Sequence, residues 1–224
     1  NEKPSDYFNT KLYTGNGSTQ SITGLGFQPD WLWVKRRDSA DHHCLEDVIR
    51  GAGYSVRTSG TDAQQYRNND ITSFDSDGFS LGSNAEVNIN SGTFVSWNWK
   101  AGGAGSANSD GSISSTISAN TTAGFSIVKY TGTGSNATVG HGLGSAPKFI
   151  IVKNYSRAGE NWRVGILTGA TDFTGSLQLD NTGAYGTATN IWNDTAPTSS
   201  VFSVGTAQST NYSGDNLIAY CFTE

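Results

Sequence analysis

The chain repeats itself. Residues 13–35, YTGNGSTQSITGLGFQPDWLWVK, return at 130–153 as YTGTGSNATVGHGLGSAPKFIIVK. The correspondence continues: Gly51-Ala52 recurs as Gly169-Ala170, the run 78–82 (GFSLG) as 201–205 (VFSVG), and 95–99 (VSWNW) as 218–222 (IAYCF). The offset grows from 117 at Tyr13/Tyr130 to 123 at Trp97/Tyr220, a drift that small loop insertions explain. Such self-similarity predicts two related folding units, 1–100 and 125–224, joined by AGGAGSANSDGSISSTISANTTAG at 101–124. The first half of that joint has linker composition. Its second half, 112–119, alternates Ile113 and Ile117 with Ser and predicts an edge strand.

Gly, Ser, Thr and Asn make up 100 of the 224 residues, which disfavours helices, while 11% aromatics supply apolar surface for a core. Period-two alternation bounded by Gly, Asn and Asp clusters then predicts an all-β fold of two antiparallel β-sandwich units. Residues 8–13 and 125–130 open the units. The runs at 31–35 and 149–153 follow Pro29 and Pro147 and are apolar at successive positions, as in central strands covered on both faces. Residues 79–81 and 94–99, with 201–204 and 217–222, complete the units, and Asp75-Ser76-Asp77-Gly78 is hairpin-turn chemistry. The one helical candidate is 44–50 (CLEDVIR), ended by Gly51, although its counterpart 164–168 reads as a strand.

The net charge is −5, and the one basic run is Lys35-Arg36-Arg37, so nucleic acid is excluded as a partner. No run approaches 18 apolar residues, so no membrane insertion is expected. Cys44 and Cys221 read as two buried thiols.

Catalytic signatures fail one by one. A nucleophile needs a base, and His42, His43 and His141 are the whole supply. Gly78-Phe79-Ser80-Leu81-Gly82 spells a nucleophile elbow but continues as strand and turn, where the elbow needs a helix. His42, His43, Cys44, Glu46 and Asp47 include metal-ligand types, yet adjacent side chains on an extended segment point apart, and a polar loop is the reading. Asp75 and Asp77 with Asp38, or Asp172 with Asp180, offer oxygen ligands to Ca2+, but turn chemistry accounts for them. Glycoside hydrolysis needs two carboxyl groups facing across a cleft. Here Glu46 and Asp47 are neighbours on opposite sides, Glu86 and Glu160 sit in loop sequence, and Glu224 is terminal. No catalytic residue, metal ligand or cofactor is therefore assigned, with Ca2+ the one alternative.

Aromatic rings stack on the apolar faces of sugars. Trp31, Trp33, Trp97 and Trp99 align with Phe149, Ile151, Tyr220 and Phe222, the substitutions expected of a core face. Trp162 and Trp192 lie in less repetitive sequence, where loops on a rigid scaffold carry binding. They are the candidate ligand-binding residues, with Arg50 and with His141 in its Gly140-His141-Gly142 turn.

The YTG-x-GS blocks, GLG-x-x-P-x-[WF]-[LI]-[WI]-VK, SFDSDGFSLGS and FVSWNWKAGG resemble a repeat of tailed-bacteriophage virion and tail-fibre-like proteins, over nearly the whole chain. The resemblance implies sandwiches of the jelly-roll, concanavalin A-like type in an extracellular phage particle. It implies a non-enzymatic structural or adhesion module whose partners are a host-surface polysaccharide or other virion proteins, and a homo-oligomer, trimeric by analogy with fibres. The alternatives are a polysaccharide depolymerase and a capsid-decoration or fibre-spacer protein.

Overall fold

The computed structural model describes residues 3–167 and 172–223. Gly169-Ala170 and Glu224 lie outside them. Strands hold 42% of the described residues and helices 7%, and the sheets are antiparallel: the fold is an all-β sandwich architecture. Two compact units are present. The first runs through Thr58 and again over Gln64–Gly103; the second takes Ser59–Ala63 and the described residues from Ala104 on.

The first unit has nine strands among its described residues: β1 (Phe8–Thr14), β2 (Gln20–Thr23), β3 (Trp31–Arg36), β4 (His43–Asp47), β5 (Tyr54–Arg57), β6 (Gln65–Tyr66), β7 (Ile71–Asp75), β8 (Gly78–Leu81) and β9 (Thr93–Trp99). A helical turn, α1 (Ala85–Asn88), precedes β9. Six strands form one sheet in the order β1-β9-β3-β4-β5-β6, and β2-β8-β7 form a second. Between them lie Ile22, Leu32, Val34, Ile71, Phe79, Leu81, Val87 and Phe94, all buried. The alternate residues of the large sheet, Trp31, Trp33, Trp97 and Trp99, mesh on its opposite face, with Trp31 and Trp99 centroids 4.3 Å apart. Both faces of β3 are thus covered, as its uninterrupted apolar run predicts.

The second unit begins earlier than composition suggests. Segment 101–124, read as a linker with one edge strand, carries β10 (Ser106–Asn108) and β11 (Ser115–Asn120). Short hydroxyl side chains leave the backbone free to join a ladder, and β11 pairs with β12 (Phe125–Thr131) over six residues. The further strands are β13 (Ala137–Gly140), β14 (Phe149–Asn154), β15 (Arg163–Ile166), β16 (Gly175–Gln178), β17 (Gly186–Thr187), β18 (Val201–Val204) and β19 (Asn216–Phe222), with the short helices α2 (Thr189–Trp192) and α3 (Gln208–Asn211). The large sheet runs β10-β11-β12-β19-β14-β15-β16-β17, and β13-β18 lie over its inner face across a core that includes Val128, Ile150, Val152, Phe173, Trp192, Phe202 and Leu217.

The order β12-β19-β14-β15-β16-β17 repeats β1-β9-β3-β4-β5-β6 strand for strand. Details repeat as well: Tyr13 Oη donates to Val87 O and Tyr130 Oη to Thr210 O, each at 2.7 Å, and the amides of Asn88 and Asn211 donate to Gly82 O and Gly205 O. One expectation is corrected here. Residues 44–50 are not helical: 44–47 continue β4, paired with β3 and β5, because ladder bonds on both sides outweigh a short amphipathic pattern.

The edges differ. β12 is covered by β11, whose Ile117 fills the space beside Gly142: a Cβ there would meet Ile117 Cδ1 at 2.3 Å. β1 is an edge strand, and the matching space beside Gly24 is taken by the Lys11 side chain, with Nζ at 2.9 Å from such a Cβ. An inward-directed charge on an edge strand discourages further pairing.

Candidate functional site

The residues nominated from sequence are structural. Trp162 is fully buried; its backbone N–H donates to Asp180 Oδ1 at 2.9 Å, and Lys153 Nζ lies over its ring at 5.8 Å. Trp192 is equally buried, edge-on to Phe173 at 5.2 Å. Neither ring has a face for a sugar. Arg50 is buried against Asp47, Nε to Oδ2 at 2.6 Å, and also donates to Leu45 O, Tyr54 O and Gln64 Oε1, which ties down the β4–β5 turn. His141 is enclosed: Nδ1 accepts the Leu143 N–H at 3.2 Å, so Nε2 carries the proton toward Thr198 O at 3.2 Å. Burial holds its pKa below the usual histidine range, and it stays neutral.

The other candidates are also committed to local bonds. Ser80 Oγ bonds Asp75 Oδ2 at 2.7 Å within a hairpin, so GFSLG is no nucleophile elbow. Asp77 caps the Gly24 and Gly26 N–H groups, Asp38 pairs with Arg36, and Asp180 holds Asn161 and Trp162. Among the described residues no three His, Cys, Asp or Glu side chains converge as metal ligands. Cys44 and Cys221 are buried free thiols.

Two features of the first unit escape the sequence reading. The first is an ionisable cluster between its sheets. Cys44 and Glu46 alternate on one face of β4, and Arg57 lies opposite Cys44. Glu86, on α1, accepts from Arg57, from Arg67 Nη1 at 2.8 Å and from Cys44 Sγ at 3.4 Å. Burial works to raise its pKa, but these bonds bring it down to about 2. Asp70 is fully buried, with neither carboxylate oxygen hydrogen-bonded and Arg67 Nη1 at 3.9 Å; burial pushes it up to about 6. Glu46 is 1% exposed, with Oε2 accepting the Gly53 N–H at 2.7 Å and Oε1 without a hydrogen-bond partner. Burial, reinforced by Asp70, pushes Glu46 up to about 8, so it keeps its proton at neutral pH.

The second unit builds the same place without the carboxylates: Arg163 stands where Cys44 stands and donates through Nε to Ser209 Oγ at 3.0 Å, Ser209 being the counterpart of Glu86. By register, Gly165 stands where Glu46 stands, and Gln178 where Arg57 does. Ile191 replaces Asp70, each giving its carbonyl to the matching glycine N–H of Gly205 or Gly82. The space over Gly165 is filled by Phe173 and Trp192: a Cβ there would sit 2.2 Å from Phe173 Cε1. The fold therefore does not require the cluster.

The second feature is a pair of exposed rings. Tyr54 on β5 and Tyr66 on β6 are cross-strand partners with centroids 4.8 Å apart and planes 44° apart. They are 37% and 64% exposed. The Arg67 N–H to Gly53 O bond, at 2.7 Å, closes the ladder beside them.

A family model matches residues 3–224. The chain belongs to the family described as Domain of unknown function (DUF7483). The DUF7483 match spans both units and so includes the cluster and the ring pair. No curated protein and no solved structure matches the chain.

Within this DUF7483 chain, a protonated acid beside a carboxylate has acid–base capacity. Glu46 and Asp70 are closed to any solute, however, and the members about one-fifth exposed, Arg57, Arg67 and Glu86, already satisfy one another. Lys153 is similarly sealed: burial lowers it to about 8, and its Nζ donates to Glu160 O at 2.6 Å. The repeat alignment held a signal for the rings: Tyr54 falls on Gly175 and Tyr66 on Thr187 once the hairpins are in register.

Proposed function

We propose that the chain is a non-enzymatic virion module of tail-fibre or tail-spike type, binding a host-surface glycan or another virion protein. The observation that carries the reading is the placement of its reactive groups. Glu46, Asp70 and Lys153, whose pKa values burial displaces far from the ordinary, are at 0–1% exposure, as is His141, and the partly exposed Glu86, displaced the other way, is held by Arg57 and Arg67. Proton transfer to a substrate needs such a group within hydrogen-bond reach of it. Hydroxyl-rich antiparallel sandwiches with apolar interiors and rings held at the surface suit display. The resemblance of the GLG-x-x-P and closing aromatic blocks to phage fibre repeats supports the virion setting.

Imaging of the virus particles made by the source that encodes this chain tests the proposal. It predicts the chain on a tail or fibre, in several copies; its absence from the particle contradicts the reading, and a place on the capsid lattice turns it toward decoration.

A further inference from the structure

The Tyr54–Tyr66 pair has no structural need to be aromatic. Its counterpart in the second unit, Gly175 opposite Thr187, closes the same β16–β17 hairpin without a ring. Both hairpins extend the same sheet position, next to β4 or β15. A cross-strand aromatic pair adds only modestly to a hairpin's stability relative to small residues. That does not explain a tyrosine left 64% exposed, when burial is where a ring returns most free energy. Phe8 and Leu12, the other exposed large apolar residues of this unit, lie on β1 at the opposite edge of the sheet, so the tyrosines form a separate patch.

We infer that Tyr54 and Tyr66 form a stacking platform for an uncharged saccharide. The rings offer adjoining apolar faces, with phenol hydroxyls able to bond sugar hydroxyls. Charge selects among glycans. The guanidinium groups around the hairpin are matched to carboxylates: Arg57 to Glu86, Arg67 to Glu86 and Asp70, and Arg50 to Asp47. An acidic sugar would find those charges neutralised, on a chain whose net charge is −5. The platform rests on the proposal that the chain adheres to glycans, and it assigns that adhesion to one hairpin.

The experiment presents the full chain to an array of uncharged and acidic glycans. Four proteins are compared: wild type, Tyr66→Thr, which installs the residue the second unit carries, Tyr54→Ala/Tyr66→Ala, and Tyr66→Phe. Thermal midpoints verify that each is folded. The expected result is retention on uncharged glycans, weakened at least about tenfold by Tyr66→Thr and by the double change, and kept by Tyr66→Phe. Equal retention by all four overturns the platform and leaves glycan adhesion standing. Retention on acidic glycans alone overturns the ligand class. Wild-type protein that binds no glycan overturns both the platform and the adhesion reading. Self-association of the wild type that Tyr66→Thr abolishes, without glycan retention, makes the pair a contact between copies and overturns the inference.

Discussion

Glu46 and Gly165 occupy the same place in the two sandwiches, one opposite Leu32 and the other opposite Ile150 on equivalent central strands. One unit fills the space above this position with Phe173 and Trp192, the other with a carboxyl group facing Asp70. A family fold that tolerates both solutions separates what the scaffold needs from what one unit adds.

The added charges make the first unit's stability depend on pH in an unusual sense. Glu46 and Asp70 have folded pKa values of about 8 and about 6, above their ordinary 4.5 and 3.8. The folded state therefore binds protons more tightly than the unfolded one. The associated stability is complete below about pH 4 and is lost as pH rises through 6 and then 8, a change on the order of a few kcal/mol. His43 and His141, held low by burial, act in the opposite sense near pH 6. The test is accordingly the difference between wild type and Glu46→Gln/Asp70→Asn: the thermal midpoint of the wild type should fall relative to the variant from pH 4.5 to 8. Parallel profiles would refute the shifts.

Gly165→Ala should destabilise the second unit by at least about 1–3 kcal/mol, because its Cβ would enter the Phe173 ring and the backbone of β15 is fixed on both sides. Trp192→Ala should cost about 3–5 kcal/mol through the cavity it opens. Both are read by chemical denaturation, and neither should alter ligand retention in protein that remains folded.

Removing the Arg50 side chain leaves Asp47 buried at 0% exposure without its guanidinium partner. Arg50→Ala is predicted to cost about 3–5 kcal/mol. A loss below about 1 kcal/mol on a denaturation curve would mean that the pair does not hold the β4–β5 turn.

Lys11 guards the β1 edge in the way Ile117 of β11 completes the β12 edge. Lys11→Val, the residue β12 carries at Val128, should promote self-association visible by sedimentation velocity, while the wild type resists pairing through this edge. An unchanged sedimentation profile would remove the lysine from that role.

Much of the architecture was legible because period-two alternation leaves an imprint: the uninterrupted apolar runs at 31–34 and 149–152 marked the central strands, and both lie at the middle of their sheets. Alternation at 112–119 marked the strand that became β11, but composition misled over 101–111, where Ser and Gly imitate a linker although β10 forms there, because ladder bonds need only backbone. The candidate site was barely legible. Trp162 and Trp192 stand in irregular sequence, which does not reveal that neighbouring strands close over them. Tyr54 and Tyr66 sit in strands of four and two residues, too short to show alternation, and their pairing depends on register. Asp70 and Glu46 are far apart in sequence and meet only when the two sheets stack.

We propose that this chain displays a binding surface and acts without chemistry of its own. The most direct measurement incubates the purified full chain with a broad panel of neutral and acidic polysaccharides and follows both retention and the release of reducing ends or unsaturated sugars. Retention on an uncharged polysaccharide with no release over a long incubation is the predicted result. Catalytic release from any member of the panel would contradict the account and point to a depolymerase.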